Sequence, residues 1–270
     1  MTDSRDFSRL DGKVSLVTGA AQGIGEATAR LFAARGIAGL LLTDRNAEKG
    51  EAVAASLDVP ARFVAADLQD LGAVRQLVPA AEAEFGRLDI LCNIAGSTER
   101  GSIIDTDEEL YERILGVNLR APFFLMQDAA KLMQRLGIAG TMVNISSVNA
   151  HAGAPFLAPY SASKAALVNL TKNTANALVW DRIRVNCILP GWVDTPGEHE
   201  TLKRFHNARE DWLQQAEKDR PFGRLVKPDE LARAIAYLAS DESGVMTGAM
   251  LDFEQGVPGI TSGRSGPMSV

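Results

Sequence analysis

The stretch Val14-Ser15-Leu16-Val17-Thr18-Gly19-Ala20-Ala21-Gln22-Gly23-Ile24-Gly25-Glu26 decides the fold. Its first five residues form a short β-type run, and from Glu26 to Arg35 apolar residues recur at helical spacing. Gly19, Gly23 and Gly25 stand between the two. A strand that breaks at glycines and opens a helix aims backbone N–H groups and a helix N-terminus at one point, an arrangement that suits a phosphate. Glycines alone carry less weight, because such a junction also permits close packing. A second run, Gly39 to Thr43, ends at Asp44, about twenty residues past the glycine turn, where a dinucleotide-binding fold sets a carboxylate against ribose hydroxyls.

Outward from this unit, apolar runs and helical patterns alternate. A helix from Asn46 to Leu57 precedes a strand from Ala61 to Ala66 with Asp67 at its end. A helical run reaching Phe85 then leads to the strand Leu88 to Cys92, which delivers Asn93-Ile94-Ala95-Gly96. A long helical pattern from Asp105 through Asn118 to about Arg135 is expected to kink at Pro122. The strand Gly140 to Ile145 ends at Ser146-Ser147, and a strand from Ile183 to Leu189 stops at Pro190-Gly191. A helix from Pro228 to about Ala239 and a strand from Ala249 to Phe253 close the pattern.

Strands that are apolar on both alternating faces and separated by helices predict an α/β fold. The expected architecture is one Rossmann-type doubly wound parallel sheet of about seven strands with helices on both faces. In such sheets ligands bind at the strand ends where small and polar residues gather. The chain reads as a single domain over 1–270. Residues 194–227 lose strand periodicity and become charged and aromatic, as expected for a substrate-side lid. The tail from Val257, rich in Gly, Ser and Pro, is expected to be ordered only where something packs on it.

The composition excludes several function classes. With 270 residues and 46% hydrophobic content the chain can bury one large core. A net charge of -6 and the lack of any Lys/Arg block argue against nucleic acid as a partner. Met1 to Lys13 contains no apolar core of signal-peptide length, and no segment offers roughly 18 uncharged apolar residues, so no membrane span and a cytoplasmic location are expected. Cys92 and Cys187 lie in apolar strand-like runs and read as small core residues. His151, His199 and His206 fit no ligand spacing, so no metal is expected.

The stretch from Ser146 to Lys164 carries the candidate chemistry. Pro155 and Pro159 disfavour helix before them, which predicts a helix beginning near Tyr160 and running to about Val179. Tyr160 and Lys164 then share a face as i and i+4. Tyrosine titrates near about 10, and a cation within reach lowers an acid by ~1–3 units, so Lys164 is expected to bring the phenol toward a working pH. A Ser147 hydroxyl could hold a carbonyl or alcohol beside it. A lone Tyr-x-x-x-Lys says little; the ordered set around it says more.

That set is Thr18-Gly19-x-x-x-Gly23-Ile24-Gly25, Asp67, Asn93-x-Ala95-Gly96, Asn118, Ser147, Tyr160-x-x-x-Lys164 and Pro190-Gly191. It resembles the short-chain dehydrogenase/reductase family from about Lys13 to Gly256. The resemblance implies that Tyr160 is the general acid/base and that Ser147, at the family's usual spacing before it, bonds the same substrate oxygen. It further implies that Lys164 tunes the tyrosine and reaches a nicotinamide ribose, while Asn118 holds a water linking Lys164 to solvent.

For a dinucleotide the resemblance implies Gly19, Gln22, Gly23, Ile24 and Gly25 at the pyrophosphate and ribose, with Asp44 and Arg45 at the adenosine ribose. Asp67 and Leu68 would meet the adenine, and Asn93, Ala95 and Gly96 would line the riboses. Tyr160, Lys164, Pro190, Gly191, Val193 and Thr195 would surround the nicotinamide. Asp67 could also simply cap a helix, and Asn118 could bond a carbonyl freed near Pro122. The chain departs from the family at Ile94, where Asn is frequent, and at Glu254-Gln255-Gly256, where Asp-Gly-Gly is customary.

Asp44 would repel a 2′-phosphate, so NAD is expected over NADP, although Arg45 keeps NADP open. Sequence position sets Asn149, His151 and Trp192 beside Ser147 and Tyr160, and with Glu198, His199, Arg204 and His206 they predict a polar pocket mouth. A sugar, polyol or small cyclic alcohol is the expected substrate. Rival readings are an NADP-linked ketoacyl or hydrophobic-ketone reductase and, from another class, a silent NAD-binding regulator. The family commonly assembles through the long helix and the Tyr-bearing helix. A homotetramer is therefore expected, with Ala121, Phe124, Leu125, Ala165, Ala166 and Leu170 supplying the surface.

Overall fold

The computed structural model describes residues 6–257, so the expectation about the tail beyond Val257 lies outside the described residues. Seven parallel strands form one sheet in the order β3-β2-β1-β4-β5-β6-β7. They are β1 (Val14–Thr18), β2 (Gly39–Asp44), β3 (Ala61–Ala65), β4 (Ile90–Asn93), β5 (Thr141–Ile145), β6 (Arg184–Pro190) and β7 (Met250–Phe253). Strand order reverses between β1 and β4. At such a reversal a parallel sheet leaves a crevice beyond its strand ends, and the glycine turn follows β1 at that point.

The apolar runs are continuous because each strand is covered twice. Leu16, Leu41, Leu91, Met142 and Val185 pack on one face against α3 (Leu71–Phe85), α5 (Ala121–Leu136) and α6 (Ala158–Leu178). Their neighbours Val17, Leu40, Leu42, Ile90, Cys92, Val143 and Ile188 pack on the other face. There they meet α1 (Gly23–Ala34), α2 (Ala47–Ala55) and α9 (Pro228–Ala239). Side chains alternate across a strand, so one run of Leu, Ile and Val feeds both cores. Fully burying each such side chain contributes about 1.5–3 kcal/mol.

Three expectations change. The single long helix is instead α4 (Glu108–Leu115), a π turn over Gly116–Arg120, and then α5. The break falls ahead of Pro122. Pro122, in the first turn of α5, has no N–H to continue the ladder, and the Ala121 N–H reaches back to the Gly116 carbonyl in the wider turn. Helix α6 begins at Ala158, ahead of Tyr160, because Pro159 is tolerated in a first turn. Ala121 and Leu125, expected to face a neighbouring subunit, are buried in their own core. Of the other expected residues Ala165 is exposed and Phe124, Ala166 and Leu170 are half-buried; Tyr111 and Phe123 also face outward, and Phe123 flanks a groove with Leu115, Leu119 and Phe124.

Residues 194–227 contain α7 (Pro196–His206) and α8 (Trp212–Lys218). The segment leaves and returns at one place: Asp194 N donates to Val226 O at 2.9 Å and Val226 N donates to Trp192 O at 3.1 Å. Among the described residues no helix is long and apolar enough to cross a membrane.

Candidate active site

The glycine turn is built from backbone. Gly19 and Gly23 have φ of 69° and 60°, left-handed values that favour glycine. A Cβ on Gly19 would stand 2.9 Å from Ala95 Cα, and one on Gly25 would stand 2.1 Å from the Gly19 carbonyl oxygen. The turn meets the loop after β4 through Thr18, whose Oγ1 accepts from Ile94 N at 2.9 Å and Ala95 N at 3.1 Å. Gln22 precedes α1 without a side-chain cap, so the first-turn amides beside Ile24 keep their donors.

At the end of β2, Asp44 accepts from Asn46 N at 3.0 Å and from Ala21 N at 3.3 Å, which ties the carboxylate to the glycine turn. Arg45 beside it is exposed. Lys49 Nζ donates to Gln22 Oε1 at 3.2 Å, a cation that sequence reading missed because α2 had to be folded back onto the turn first. Asp67 is exposed and accepts from Gln69 N at 2.9 Å. The cap of α3 is Asp70, which accepts from Gly72 N at 2.8 Å, so Asp67 does not cap the helix. Leu68 is buried in the core.

Asn93 departs from expectation. Its Nδ2 donates to Asn144 Oδ1 at 2.8 Å, and Asn144 Nδ2 donates to Thr171 Oγ1 at 2.9 Å, so the side chain ties β4 to β5 and α6 instead of lining a ribose. Its Oδ1 is buried without a partner. A Cβ on Gly96 would lie 3.4 Å from Lys164 Nζ and 3.5 Å from Asn118 Oδ1, so both polar groups converge beneath the loop after β4.

Asn118 sits in the π turn, fully buried. Its Oδ1 accepts from Ser97 N at 2.8 Å, and its Nδ2 donates to Ser97 O at 3.0 Å and Ser163 Oγ at 3.1 Å. It therefore clamps the loop after β4 to α6, and does not bond a carbonyl near Pro122. Tyr160 and Lys164 are buried on the inner face of α6. Lys164 Nζ donates to Ile145 O at 2.8 Å and lies 5.8 Å from the Tyr160 ring centroid.

Burial holds Lys164 down to about 8. Burial pushes the Tyr160 phenol up, a hydrogen bond with Ser147 pulls it back, the Glu198 charge adds to the rise, and Arg100 opposes it. The expected lowering of the phenol by Lys164 is not realised in this arrangement, because the ammonium is turned to the Ile145 carbonyl. Ser147 Oγ also accepts from Asn149 N at 3.1 Å and Asn149 Nδ2 at 3.2 Å, which fixes its direction.

Beyond β6, Pro190 and Gly191 pass under Glu254, whose carboxylate occupies the space where a Gly191 Cβ would stand. Val193 pairs with Val226, and Thr195 Oγ1 caps α7 by accepting from Glu198 N at 3.1 Å. The Thr195 methyl comes to 3.4 Å from where a Gly23 Cβ would stand, so the start of α7 abuts the glycine turn.

Trp192 stacks on Trp212 with centroids 5.8 Å apart, and its Nε1 donates to Glu198 Oε1 at 3.0 Å. Its polar handle is thus occupied within the protein. His151 goes elsewhere: its Nε2 pairs with Asp252 on β7 at 2.7 Å, half-exposed, not with Ser147. Arg100 was missed. It faces Glu198 at 3.6 Å and bonds His206 Nε2 at 3.0 Å, contacts between residues far apart in sequence that no spacing announces.

The family model described as enoyl-(acyl carrier protein) reductase matches residues 19–258. Galactitol 2-dehydrogenase of Agrobacterium fabrum is 36% identical over 87% of this chain and 93% of its own length. L-Rhamnose 1-dehydrogenase (NAD(P)(+)) of Azotobacter vinelandii is 37% identical over 92% of this chain and 97% of its own. A solved short-chain dehydrogenase/reductase family protein superposes with a TM-score of 0.80 at 37% identity, covering 92% of this chain and 98% of that one. With sheet order, ordered motifs and these matches in agreement, the chain belongs to the short-chain dehydrogenase/reductase family of nicotinamide-dependent oxidoreductases.

Proposed function

We propose that the protein oxidises a secondary hydroxyl of a sugar, polyol or small cyclic alcohol, or reduces the matching carbonyl, with NAD(H) preferred. The observation that carries this reading is the buried Tyr160–Ser147 pair beside Lys164, next to a backbone cradle at the switch point of the sheet. The close backbone packing at Gly25, where a Cβ would stand 2.1 Å from the Gly19 carbonyl oxygen, and the Asp44 carboxylate tied to Ala21 N support a dinucleotide there.

When bound, the nicotinamide takes or gives the hydride. The protein's own groups handle the proton. Tyr160 Oη accepts it from the substrate hydroxyl in oxidation and returns it in reduction, a role that contributes typically about 10²–10⁴-fold. Ser147 Oγ–H donates to the same oxygen. Lys164, held at about 8, exchanges protons near neutrality and can carry that proton onward. Tyr160→Phe should cut turnover by about a thousandfold while leaving NAD affinity nearly unchanged; a variant that keeps most of its rate would sink the mechanism.

The polar rim of Glu198, Arg100 and His206 supports a hydroxylated substrate, and galactitol and L-rhamnose in the relatives' names point the same way. For the cofactor, Asp44 favours free ribose hydroxyls, since a charged hydrogen bond contributes about 1.5–3 kcal/mol, roughly ten- to a hundredfold in affinity. A second reading, an NADP-linked ketoacyl or hydrophobic-ketone reductase, draws on Lys49 beside Gln22 and on Arg45. Competitive titration separates them: tighter NADP binding would mean that the two cations outweigh Asp44. The exposed Phe123 and Tyr111 along α4 and α5 support assembly as a homotetramer, and an active monomer in sedimentation would contradict it.

A further inference from the structure

The pocket contains a second polar point besides Tyr160. Glu198 lies in the first turn of α7, placed by the Thr195 cap, with its side chain 16% exposed. Both of its contacts fall on one oxygen: Trp192 Nε1 donates to Oε1 at 3.0 Å, and Arg100 Nη2 stands 3.6 Å from the same atom. Among the described residues no hydrogen bond ends on Oε2.

The surroundings hold the carboxylate in place. Trp192 is fixed between Trp212 and the Arg220 guanidinium, which sits 5.1 Å over its ring. Arg100 is held by Thr98 O at 2.6 Å and by His206 Nε2 at 3.0 Å, which fixes its guanidinium beside Glu198. Glu198 is also close enough for its charge to act on the Tyr160 phenol. An acceptor without a partner therefore stands near enough to the acid/base for its charge to reach the phenol, on a side chain that cannot swing away without breaking two contacts.

We propose that Glu198 Oε2 accepts a hydrogen bond from a second substrate hydroxyl, on the carbon next to the one oxidised at Tyr160, so that the pocket selects vicinal diols over simple secondary alcohols. This rests on the dehydrogenase reading above and narrows its substrate class. A partly desolvated carboxylate rewards a donor more than a water-exposed one does, and a site built to bond a hydroxyl discriminates against the analogue that lacks it. The retained Trp192 and Arg100 contacts moderate the effect. A substrate with its own carboxylate would meet like charge here.

The test compares cis-1,2-cyclohexanediol with cyclohexanol, one ring with and without the neighbouring hydroxyl, for the wild-type enzyme with NAD. The wild type should favour the diol in kcat/KM by about ten- to a hundredfold. In Glu198→Gln, nearly isosteric and expected to fold, that ratio should fall by about tenfold. Trp192→Phe keeps the carboxylate and removes only one of the two contacts that hold it, so it should lower the ratio by less than Glu198→Gln does.

A ratio unmoved in Glu198→Gln, or an equal fall in Trp192→Phe, would reduce Glu198 to a lid prop and overturn the inference. A wild type that turns over cyclohexanol at least as well as the diol sinks the inference alone. No turnover of either alcohol, or of a wider polyol panel, with either cofactor sinks the dehydrogenase reading and the inference with it.

Discussion

The glycine turn after β1 and the segment after β6 stand at the same ends of the same parallel sheet, and they are built in opposite ways. The turn is shaped by backbone: left-handed φ at Gly19 and Gly23, and no room for a Cβ at Gly25. The segment 194–227 is shaped by side chains: Trp192 on Trp212, Glu198 under Arg100, Lys227 between Asp194 and Glu217. Backbone constraints write themselves into sequence as obligatory glycines, whereas side-chain constraints are written as ordinary polar residues. The first should tolerate almost no change, and the second should trade residues with graded effects.

Gly25→Ala should give the largest effect. Its Cβ would meet the Gly19 carbonyl oxygen at 2.1 Å, a contact that only backbone movement relieves. NAD binding, followed by fluorescence titration, should weaken by about a hundredfold, with a stability loss of about 1–3 kcal/mol as in other overpacked sites. Unchanged affinity would mean that the turn is a packing junction and not a cradle.

Two lysines sharpen the comparison. Lys164 is buried and held down to about 8 from 10.5, whereas Lys227 in the segment 194–227 is raised by Asp194 and Glu217. Between about 8 and 10.5 the folded state binds fewer protons at Lys164 than the unfolded chain does, so its burial penalty is present below about 8 and fades as pH rises toward 10.5. Lys164→Met should therefore raise the melting temperature at pH 7 by about 2–4 °C while abolishing turnover, and the gain should shrink at higher pH. Lys227→Met should lower it. The same sign for both would show that Lys164 is stabilised by the Ile145 carbonyl rather than strained.

The fold was legible because its signals are local. Val14–Thr18, Gly39–Asp44 and their successors had to be apolar on both faces, and the alternation of Leu16 with Val17 between two cores is that requirement made visible. The π turn was not legible: Pro122 announced a break, but its place depends on how Asn118 reaches Ser97 and Ser163. In the candidate site, the residues on α6 and at the strand ends could be named from their order alone. Asn93 was misjudged, since only the neighbouring strand reveals its partner Asn144. Arg100 and Lys49 stayed hidden, because each acts across a long sequence separation on a residue that carries no matching signature.

The Glu198 charge gives a smaller effect and a clean sign. It raises the Tyr160 phenol, after burial and against the Ser147 bond, because a negative charge nearby disfavours phenolate. Oxidation requires the phenolate and should climb with pH through that titration. In Glu198→Gln the climb in kcat should shift to lower pH, measured with one alcohol at saturating NAD. A shift to higher pH would place the carboxylate's influence on another group.

Gly197→Ala should give the smallest effect and bears most directly on the comparison. Gly197 is a glycine of the segment 194–227, in the first turn of α7, without positive φ, and its added Cβ would meet only the end of the Gln22 side chain at 3.4 Å. Nothing there requires glycine. Alanine restricts the unfolded chain and should stabilise the protein by about 0.4–1 kcal/mol. It should do so with NAD affinity changed by less than about threefold, well inside the hundredfold expected at Gly25. Chemical denaturation measures the first and titration the second. If Gly197→Ala instead weakened NAD binding as much as Gly25→Ala, the start of α7 would belong to the cradle, with Gln22 as the shared wall, and the two regions would be one site built from backbone.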